Sequence, residues 1–485
     1  MDLAIVLDSN AAQSLQQQLY EELRRAILGR RLPQGQRIPS SRSMAKSLGI
    51  SRTTVTQSYE QLLSEGYLQT IVGSGTFVCA QLPDDLLRST PVESAQSIPR
   101  PPIKLSKYAV VTTTNVVTIE PYAPISFRYG RPAFDQFPIK LWRKLLSRHC
   151  RTNPTWLDYA SDLLGYKPLR EAIALYLTRF RAVQCEPDHI LITNGTQQSL
   201  YLMMRLLIDP GDAIALEDPG YLSARRIFLT QGAKLLPVAV DQSGFVVKEL
   251  ANYSTESIKL IYVTPSHQFP TGATLSLPRR LELLTWAQQT GALIIEDDYD
   301  SEYRYGDRPI PALQGLDQTH SVCYVGTFSK VLFPSLRIGY LVLPSSLVSL
   351  FAHAKWLSDR QLPLLEQQVL TDFIKEGHLE RHIRQMRSHY DHCRQVLVQA
   401  LNFHFGDQVT ILGEKAGIHL MVRLYTKLSD EEIIHRAAQV SVGMISAQPC
   451  YLKAHHPGEF IFGYSELNEQ QLQEGIRRLA QVLLD

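Results

Sequence analysis

The stretch "GTFSKVLFPSLRIGY", residues 326–340, places a lysine between small polar residues directly after an apolar run. Lys330 is followed seven positions later by Arg337. The apolar run itself, "SVCYV" at residues 321–325, is short and bounded by turn residues, which is typical of a buried strand. The sequence therefore predicts a lysine and an arginine just beyond the end of a strand.

Similar apolar runs alternate with helical segments along the preceding part of the chain. They are "HILIT", "DAIALED", "IKLIYVTP" and "GALIIEDD", beginning at residues 189, 212, 258 and 291. This rhythm predicts an α/β fold with a mostly parallel central sheet and helices on both faces. Ligands bind beyond the carboxyl ends of the strands in such sheets, so the residues that follow each run are candidate site residues.

Two of these strand ends predict a place for an anion and a flat ring. After "HILIT", the segment "NGTQQSLYLMMRLL" is a small-residue turn that opens a helix, and Gly195, Thr196 and Gln197 are placed to contact a phosphate there. After "DAIALED", the segment "PGY" brings Tyr221 to the same edge, where its ring can stack on a flat cofactor.

The remaining strand ends add a carboxylate, a phenol and an amine. "EDDY" supplies Asp297 and Tyr299, and "GTFSK" supplies Thr327 and Lys330. Pyridoxal phosphate requires a lysine for a Schiff base, a carboxylate that keeps the ring nitrogen protonated, and an arginine with backbone donors for the phosphate. We therefore predict a pyridoxal phosphate site with Lys330 as the Schiff-base lysine, and with Thr327 and Arg337 at the phosphate.

The first eighty residues have a different pattern. "SLQQQLYEELRRAIL", residues 14–28, repeats leucine or isoleucine at four-residue steps, which predicts a helix with one apolar face. "PSSRSMAKSLGISRTTVTQSYEQLLSEGYL", residues 39–68, predicts two further helices with Ser40 and Ser51 as their N-caps. Two short β-runs then surround a turn at residues 73–75. Three helices followed by a hairpin are typical of a winged helix-turn-helix that binds double-stranded DNA.

Local charge supports this interpretation, because residues 24–52 contain eight basic side chains and no acidic one. The side chains predicted to reach base edges are Arg52, Thr53, Thr56 and Gln57. Those predicted to contact phosphates are Ser41, Arg42 and Gly75. The alternative is a solvated charged face on a helical domain that binds another protein.

The boundaries follow from composition. Residues 81–124 contain seven prolines and no sustained periodicity, which predicts a linker, with an ordered arm along the large domain as the alternative for part of it. The expected parts are a DNA-binding domain at 12–80, the linker, and a cofactor-binding domain at 125–485.

Six scattered cysteines argue against a zinc site or a disulfide framework, so we expect no metal. The acidic N-terminus and the lack of a long apolar run predict a cytoplasmic protein that does not enter a membrane.

Specific motifs resemble known families. "IPSSRSMAKSLGISRTTVTQSYEQLLSEGYLQTIVGSGTFV", residues 38–78, resembles the DNA-binding domain of GntR-type bacterial regulators. "YASDLLGYKPLREAIALYL", "TNGTQQSL", "EDPGY", "IIEDDY" and "TFSKVLFPSLRIGY" resemble, in order, segments of fold-type I aminotransferases. The combination, with "FRYGRPAFDQFPIKLWRKLL", "TPSHQFPTG" and "GHLERHIRQMRSHY", resembles the MocR/GabR-type subfamily of GntR regulators.

The resemblance implies roles for individual residues. Asp297 would pair with the pyridine nitrogen, Tyr299 would bond the ring hydroxyl, Tyr221 would stack on the ring, and Lys330 would carry the cofactor. It also implies a homodimer formed by the large domains. The implied function is a transcriptional regulator that binds DNA and senses either pyridoxal phosphate or a small amine that reacts with it. The effector, the operator and the direction of regulation are not predicted.

Two positions depart from the enzymes. Phe269 stands where aminotransferases carry an asparagine that bonds the ring hydroxyl, so that bond is missing or is supplied by His267 or Gln268. Ile461 stands where an arginine usually clamps the substrate carboxylate. The arginines considered as substitutes are Arg225, Arg226 and Arg423. The loss favours a regulator over the alternative, an active aminotransferase with an accessory DNA-binding head.

Overall fold

The computed structural model describes residues 5–9, 11–84, 103–114, 123–151, 155–159, 162–253, 258–306, 310–453 and 455–484. The chain divides into two compact units, Met1–Lys104 and Leu105–Asp485. Within the described residues, no helix combines the length and the apolar character needed to cross a membrane.

The first unit consists of three helices followed by a two-stranded antiparallel hairpin. Its elements are α1 (Leu15–Leu28), α2 (Ser41–Leu48), α3 (Arg52–Ser64), β1 (Leu68–Ile71) and β2 (Gly75–Val78). The predicted caps are present, because the side chains of Ser40 and Ser51 accept hydrogen bonds from the backbone amides of Ser43 and Thr54. Gly49 ends α2 in the left-handed conformation, which lets the chain turn directly into α3.

A small apolar core joins these elements. Leu19 and Leu23 of α1 pack with Val55 and Leu62 of α3, and all four are almost completely buried. The Tyr59 hydroxyl donates to the backbone carbonyl of Pro39, so its polar end is satisfied inside the core. The apolar stripe faces inward, which leaves the opposite face of α3 exposed.

The second unit contains eleven further helices among its described residues. They are α4 (Lys107–Thr114), α5 (Ile139–Arg151), α6 (Lys167–Arg181), α7 (Gly195–Leu207), α8 (Leu222–Thr230), α9 (Leu277–Thr290), α10 (Ser345–Asp359), α11 (Leu364–Lys375), α12 (His378–Phe405), α13 (Asp430–Gln439) and α14 (Glu469–Leu483). The strands are β3 (Ile125–Ser126), β4 (Ile190–Thr193), β5 (Ala213–Asp218), β6 (Lys234–Asp241), β7 (Gly244–Phe245), β8 (Ile258–Val263), β9 (Leu293–Asp298), β10 (Val322–Thr327), β11 (Gly339–Val342), β12 (Val409–Leu412), β13 (His419–Leu424), β14 (Val442–Gly443), β15 (Ile445–Ser446) and β16 (Glu459–Gly463).

Eight strands form the central sheet in the order β4-β11-β10-β9-β8-β5-β6-β7. The run from β10 through β6 is parallel, whereas β11 and β7 are antiparallel to their neighbours. The predicted mostly parallel α/β sheet is therefore confirmed. Apolar clusters cover both faces of the sheet, because successive side chains along β8 and β9 belong alternately to different clusters.

A second, antiparallel sheet lies in the C-terminal part of the chain, in the order β12-β13-β16-β15. It shares an apolar core with α12 and α14, and Leu397, Leu420, Phe460 and Ile476 are buried in that core. β13 and β16 are adjacent and pair Met421 with Ile461, so this small sheet fixes the position of Ile461.

The predicted linker contains regular structure. α4 falls between residues 81 and 124 and contacts α8, which agrees with the ordered-arm alternative for that portion. Most of the proline-rich segment, residues 85–102 and 115–122, lies outside the described residues. The proposed boundaries at 12–80, 81–124 and 125–485 therefore remain a prediction.

Candidate functional site

A pocket of about 330 Å³ opens at the carboxyl edge of the central sheet. Parallel strands bring their ends to one edge, and β9 lies beside β10 with Asp297 opposite Val325. Eight of the predicted cofactor residues line the pocket: Thr196, Gln197, Tyr221, Asp297, Tyr299, Thr327, Lys330 and Arg337. The ninth, Gly195, lies at its rim, because a Cβ atom there would be 3.0 Å from a guanidinium nitrogen of Arg337.

Lys330 follows β10 and points its amine into the pocket. Its Nζ atom donates to the backbone carbonyl of Gly130 at 2.7 Å. Burial lowers the pKa of Lys330, which favours the neutral amine that condensation with an aldehyde requires. Gly130 has a φ of +82°, a conformation that favours glycine, and a Cβ atom there would lie 2.6 Å from Nζ and displace the amine from its present position.

Asp297 near the end of β9 holds a buried carboxylate with one oxygen unsatisfied. Its Oδ2 atom accepts a hydrogen bond of 2.7 Å from the Tyr262 hydroxyl, whereas Oδ1 is buried without a partner among the described residues. Burial, reinforced by nearby Asp298, raises the pKa of Asp297 to about 7. A positively charged N–H group in the pocket would satisfy Oδ1 and restore the ionised carboxylate.

The opposite end of the pocket is suited to an anion. Arg337 donates from Nη2 to the carbonyl of Asn194 at 2.7 Å and from Nε to the side-chain oxygen of Asn194 at 3.1 Å. These bonds hold the guanidinium beside the first turn of α7, which the Asn194 side chain precedes without capping. A helix N-terminus and an arginine together attract a phosphate. The Thr327 hydroxyl, which donates to the Ser329 hydroxyl at 3.0 Å, lies in the same pocket.

Several lining residues were not predicted as site residues. They are Tyr129, Gly130, Arg131, Tyr262, Thr264, Phe269, Ser329, Pro334, Ile418 and His419. Residues 129–131 precede the α/β alternation and come to the pocket only through the tertiary fold. Tyr262 carried a usable signal, because it lies inside a strand that ends at the same edge. Phe269 was noted as a departure from the enzymes, and the structure places its ring in the pocket wall.

The position that lacks an arginine is apolar. Ile461 is 1% exposed and packs with Phe269, Met421, Ala447 and Cys450. The substitutes considered from sequence do not line the pocket. Arg423 donates from Nε to the buried carboxylate of Glu459 at 3.0 Å, and Arg225 donates to the carbonyls of Tyr451 and Pro449.

In the first unit, the predicted DNA contacts lie on the exposed sides of α2 and α3. Arg52, Thr53 and Gln57 are exposed on α3, opposite its buried stripe, and Thr56 is half-buried. Arg42 is exposed on α2, and the Arg52 Nε atom lies 3.4 Å from the hydroxyl of half-buried Ser41. Gly75 opens β2, and a Cβ atom there would lie 2.9 Å from the Nε atom of Arg37. This exposed face thus combines polar side chains of the kind that contact base edges with basic side chains of the kind that contact phosphates.

Not all eight basic residues contribute to that face. Arg24 forms an ion pair with Asp84, and Arg25 pairs with Glu22. Arg42, Lys46 and Arg52 are exposed near the helix-turn-helix and concentrate the positive charge there. The sequence predicted the positive charge of residues 24–52, and the fold determines which of the basic side chains are exposed beside the helix-turn-helix.

Residues 15–78 match the family described as bacterial regulatory proteins of the gntR family, and residues 125–479 match aminotransferase class I and II. The probable rhizopine catabolism regulatory protein MocR of Rhizobium meliloti is 38% identical over 99% of this chain and 96% of its own length. The pyridoxine biosynthesis regulator PdxR of Corynebacterium glutamicum is 33% identical over 82% of each chain.

Solved structures agree with the second match. The α-aminoadipate aminotransferase LysN of Thermus thermophilus, complexed with N-(5'-phosphopyridoxyl)-L-leucine, superposes with a TM-score of 0.69 and 28% identity, over 79% of this chain and 95% of that one. A GntR-type winged helix fused to a fold-type I aminotransferase domain defines a class of DNA-binding regulators. This chain belongs to that class, the MocR/GabR-type transcriptional regulators.

We predict different roles in DNA binding for Arg52 on α3 and Arg42 on α2. We expect Arg52→Ala to cost about 1–3 kcal/mol of binding free energy on the specific site and to relax specificity, because we predict that this exposed side chain contacts base edges. We expect Arg42→Ala to weaken binding to all duplexes alike and to reduce the salt dependence of binding, because we predict that Arg42 contacts the phosphate backbone of DNA. Gel shifts on specific and scrambled duplexes at several salt concentrations measure both effects. Lys427→Ala, an exposed lysine of the second unit, is the charge-matched control. Equal losses on both duplexes for Arg52→Ala would contradict this division.

Proposed function

We propose that this regulator holds pyridoxal phosphate in the pocket at the sheet edge and uses it to sense the cofactor itself or a small amine that reacts with it. The observation that carries the proposal is the unsatisfied, buried Oδ1 atom of Asp297, in the same pocket as the Lys330 amine. A protonated pyridine nitrogen is the partner that such an oxygen requires. Structural neighbours that contain phosphopyridoxyl compounds support the choice of cofactor.

The residues present fit this cofactor at each of its functional groups. Lys330 would hold the aldehyde carbon, Asp297 the ring nitrogen, and Tyr221 a face of the ring. The phosphate would take the first amides of α7, together with Arg337 and Thr327. When bound, the cofactor supplies an electrophilic carbon that exchanges the lysine for an incoming amine. Tyr262 keeps the Asp297 carboxylate oriented, and the Gly130 carbonyl holds the Lys330 amine inside the pocket.

We expect Lys330→Ala to abolish covalent retention of the cofactor, because Lys330 is the only lysine among the described residues that line the pocket. Purified protein would be incubated with pyridoxal phosphate, reduced with borohydride and digested, and the label located by mass spectrometry. Lys427→Ala is the control that keeps the pocket intact. A stoichiometric label that persists in Lys330→Ala at another residue would refute the assignment.

The apolar cluster of Ile461 and Phe269, of which Phe269 lines the pocket, narrows the class of effector. A carboxylate beside Ile461 has no bidentate partner there, and Arg131, which lines the pocket, is ion-paired with Glu466 at 3.0 Å. Such a carboxylate loses a charge-assisted contact of about 1.5–3 kcal/mol, so amino acids held through it should bind weakly. The cofactor itself, or an amine without a carboxylate, fits the wall better. The name of the pyridoxine biosynthesis regulator among the relatives supports the first choice.

A titration tests this preference. The visible absorbance of the cofactor-loaded protein would be followed with 4-aminobutyrate and the common amino acids, and with amines of the same length that lack the carboxylate. Ile461→Arg should improve the response to carboxylate-bearing amines about tenfold to a hundredfold, and Ile461→Met is its control. A sub-millimolar response to a carboxylate-bearing amine that survives replacement of Arg131, Arg225, Arg226 and Arg423 would contradict the argument. Turnover of amino and keto acids would favour the alternative, an active aminotransferase with an accessory head.

We further propose that the second units form a homodimer, as the resembling enzymes do, so that two DNA-binding heads address paired half-sites. Light scattering of the cofactor-loaded protein at micromolar concentration should give the mass of two chains. A stable monomer under those conditions would exclude this assembly.

A further inference from the structure

His267 and Asp300 form a buried pair directly behind Tyr299. The Nδ1 atom of His267 lies 3.0 and 3.1 Å from the two carboxylate oxygens of Asp300, and both side chains are at most 1% exposed. The Tyr299 hydroxyl donates to the His267 carbonyl at 3.0 Å and lies 3.1 Å from the same Nδ1 atom. The three side chains thus form one continuous polar network that ends at the pocket, which Tyr299 lines.

Neither residue considered from sequence replaces the lost asparagine directly. The Gln268 amide donates to the carbonyls of Pro219 and Phe269, and its oxygen accepts from Thr271, so both ends of this side chain are occupied by protein atoms. His267 is not among the residues that line the pocket. Tyr299 is therefore the route through which His267 acts on a ligand.

The position of the imidazole is fixed on several sides. A Cβ atom at Gly417, whose φ is +79°, would lie 2.0 Å from Cε1 of His267 and 2.7 Å from Asp300. The Gly417 carbonyl in turn accepts hydrogen bonds of 2.6 Å from the hydroxyls of Tyr305 and Tyr464. The ring of His419 packs 4.9 Å from that of His267. Such packing leaves little freedom for the ring to turn.

We propose that His267, oriented by Asp300, positions the Tyr299 hydroxyl for the phenolic oxygen of the cofactor and so compensates for the asparagine replaced by Phe269. In this arrangement Nδ1 of His267 shares its proton between Asp300 and the Tyr299 oxygen, and on cofactor binding the Tyr299 proton turns from the His267 carbonyl to the phenolic oxygen. Accepting a hydrogen bond makes a hydroxyl a stronger donor. This inference rests on the proposed binding of pyridoxal phosphate and concerns positioning residues that do not touch the ligand.

The consequence is a shift in the pH titration of the bound cofactor. Donation from Tyr299 stabilises negative charge on the phenolic oxygen, so weakening that donation makes the cofactor easier to protonate and raises the titration midpoint. Other charges near Tyr299 act on the same equilibrium and are unchanged by the variants below. The titratable groups around it, apart from His267 and Asp300, are Glu217, Asp297, Asp298, Lys330 and His419.

The same cluster raises the question of a metal ion. One ligand atom each of His267, Asp300 and His419 lies within 4.8 Å of the others, and the Nε2 atoms of both histidines are buried without a partner among the described residues. The Asp300 carboxylate, however, contacts Nδ1 of His267, whereas Nε2 is on the other side of the ring. The carboxylate therefore orients the imidazole, and it does not share a ligand position with Nε2.

The experiment compares absorbance titrations of the cofactor-loaded protein between variants. His267→Leu should raise the midpoint by about one pH unit, the size expected from a lost hydrogen bond to a charged group, and Tyr299→Phe should raise it at least as far. His267→Asn, which keeps an N–H donor near the Nδ1 position, should remain close to the wild type. The double variant Tyr299→Phe/His267→Leu should equal Tyr299→Phe alone, because His267 acts through Tyr299.

Other outcomes overturn the inference. An unchanged midpoint in His267→Leu, or a double variant whose shift is the sum of the two single shifts, excludes action through Tyr299. A wild-type midpoint that moves when chelation removes a bound metal assigns the cluster to an ion instead. If His267→Leu unfolds, Asp300→Asn preserves the volume and should shift the midpoint in the same direction. Failure of the wild-type protein to acquire any visible band contradicts the proposed cofactor, whereas a normal band with unaffected variants contradicts only the role of His267.

Discussion

The burial of the Asp297 carboxylate is the constraint on which the pocket depends. A carboxylate removed from water loses several kcal/mol of solvation unless a positive charge or hydrogen bonds replace the solvent. Tyr262 satisfies one oxygen, and the other remains open toward the pocket. Burial also raises the pKa to about 7, so the group is poised between its two forms. A cationic ring nitrogen, as in the cofactor that we propose, would remove this penalty, so binding of the cofactor and ionisation of Asp297 would reinforce each other.

The two carboxylates next to Asp297 on β9 are also stabilised by hydrogen-bond donors of the surrounding fold. Asp298, next along β9, accepts from the buried guanidinium of Arg181 at 2.9 Å and from the Tyr324 hydroxyl at 2.6 Å. Glu296, which precedes Asp297 in sequence, accepts hydrogen bonds of 2.8 Å from the backbone amides of Leu313 and Gln314. Adjacent carboxylates on one strand are tolerated because each has its own set of donors. Only the carboxylate with an unfilled position faces the ligand pocket.

Sequence reasoning predicted the sheet edge well because parallel strands follow a simple rule. Residues that come just after apolar runs, such as Lys330 and Tyr221, reach one edge whatever the details of packing. The rule does not cover segments outside the alternation, which explains why Tyr129 and Arg131 were missed. It also does not reveal which polar atoms find partners, so the network behind Tyr299 was visible only once distances were known. Cap residues such as Ser51 were predictable because capping is local.

The two residues that depart from the enzymes, Phe269 and Ile461, lie in one apolar cluster of the fold. Phe269 follows β8 and Ile461 lies in β16, almost two hundred residues apart in sequence. Both belong to a single apolar cluster that also touches Tyr129, Tyr221 and Tyr299. A side chain at residue 461 therefore packs in the same cluster as the Phe269 ring, which replaces the polar side chain of an asparagine. The two positions that depart from the enzymes are therefore in one packing environment. In the site that we propose, Tyr299 is then the side chain left to bond the ring hydroxyl, and the cluster offers no cation to a carboxylate.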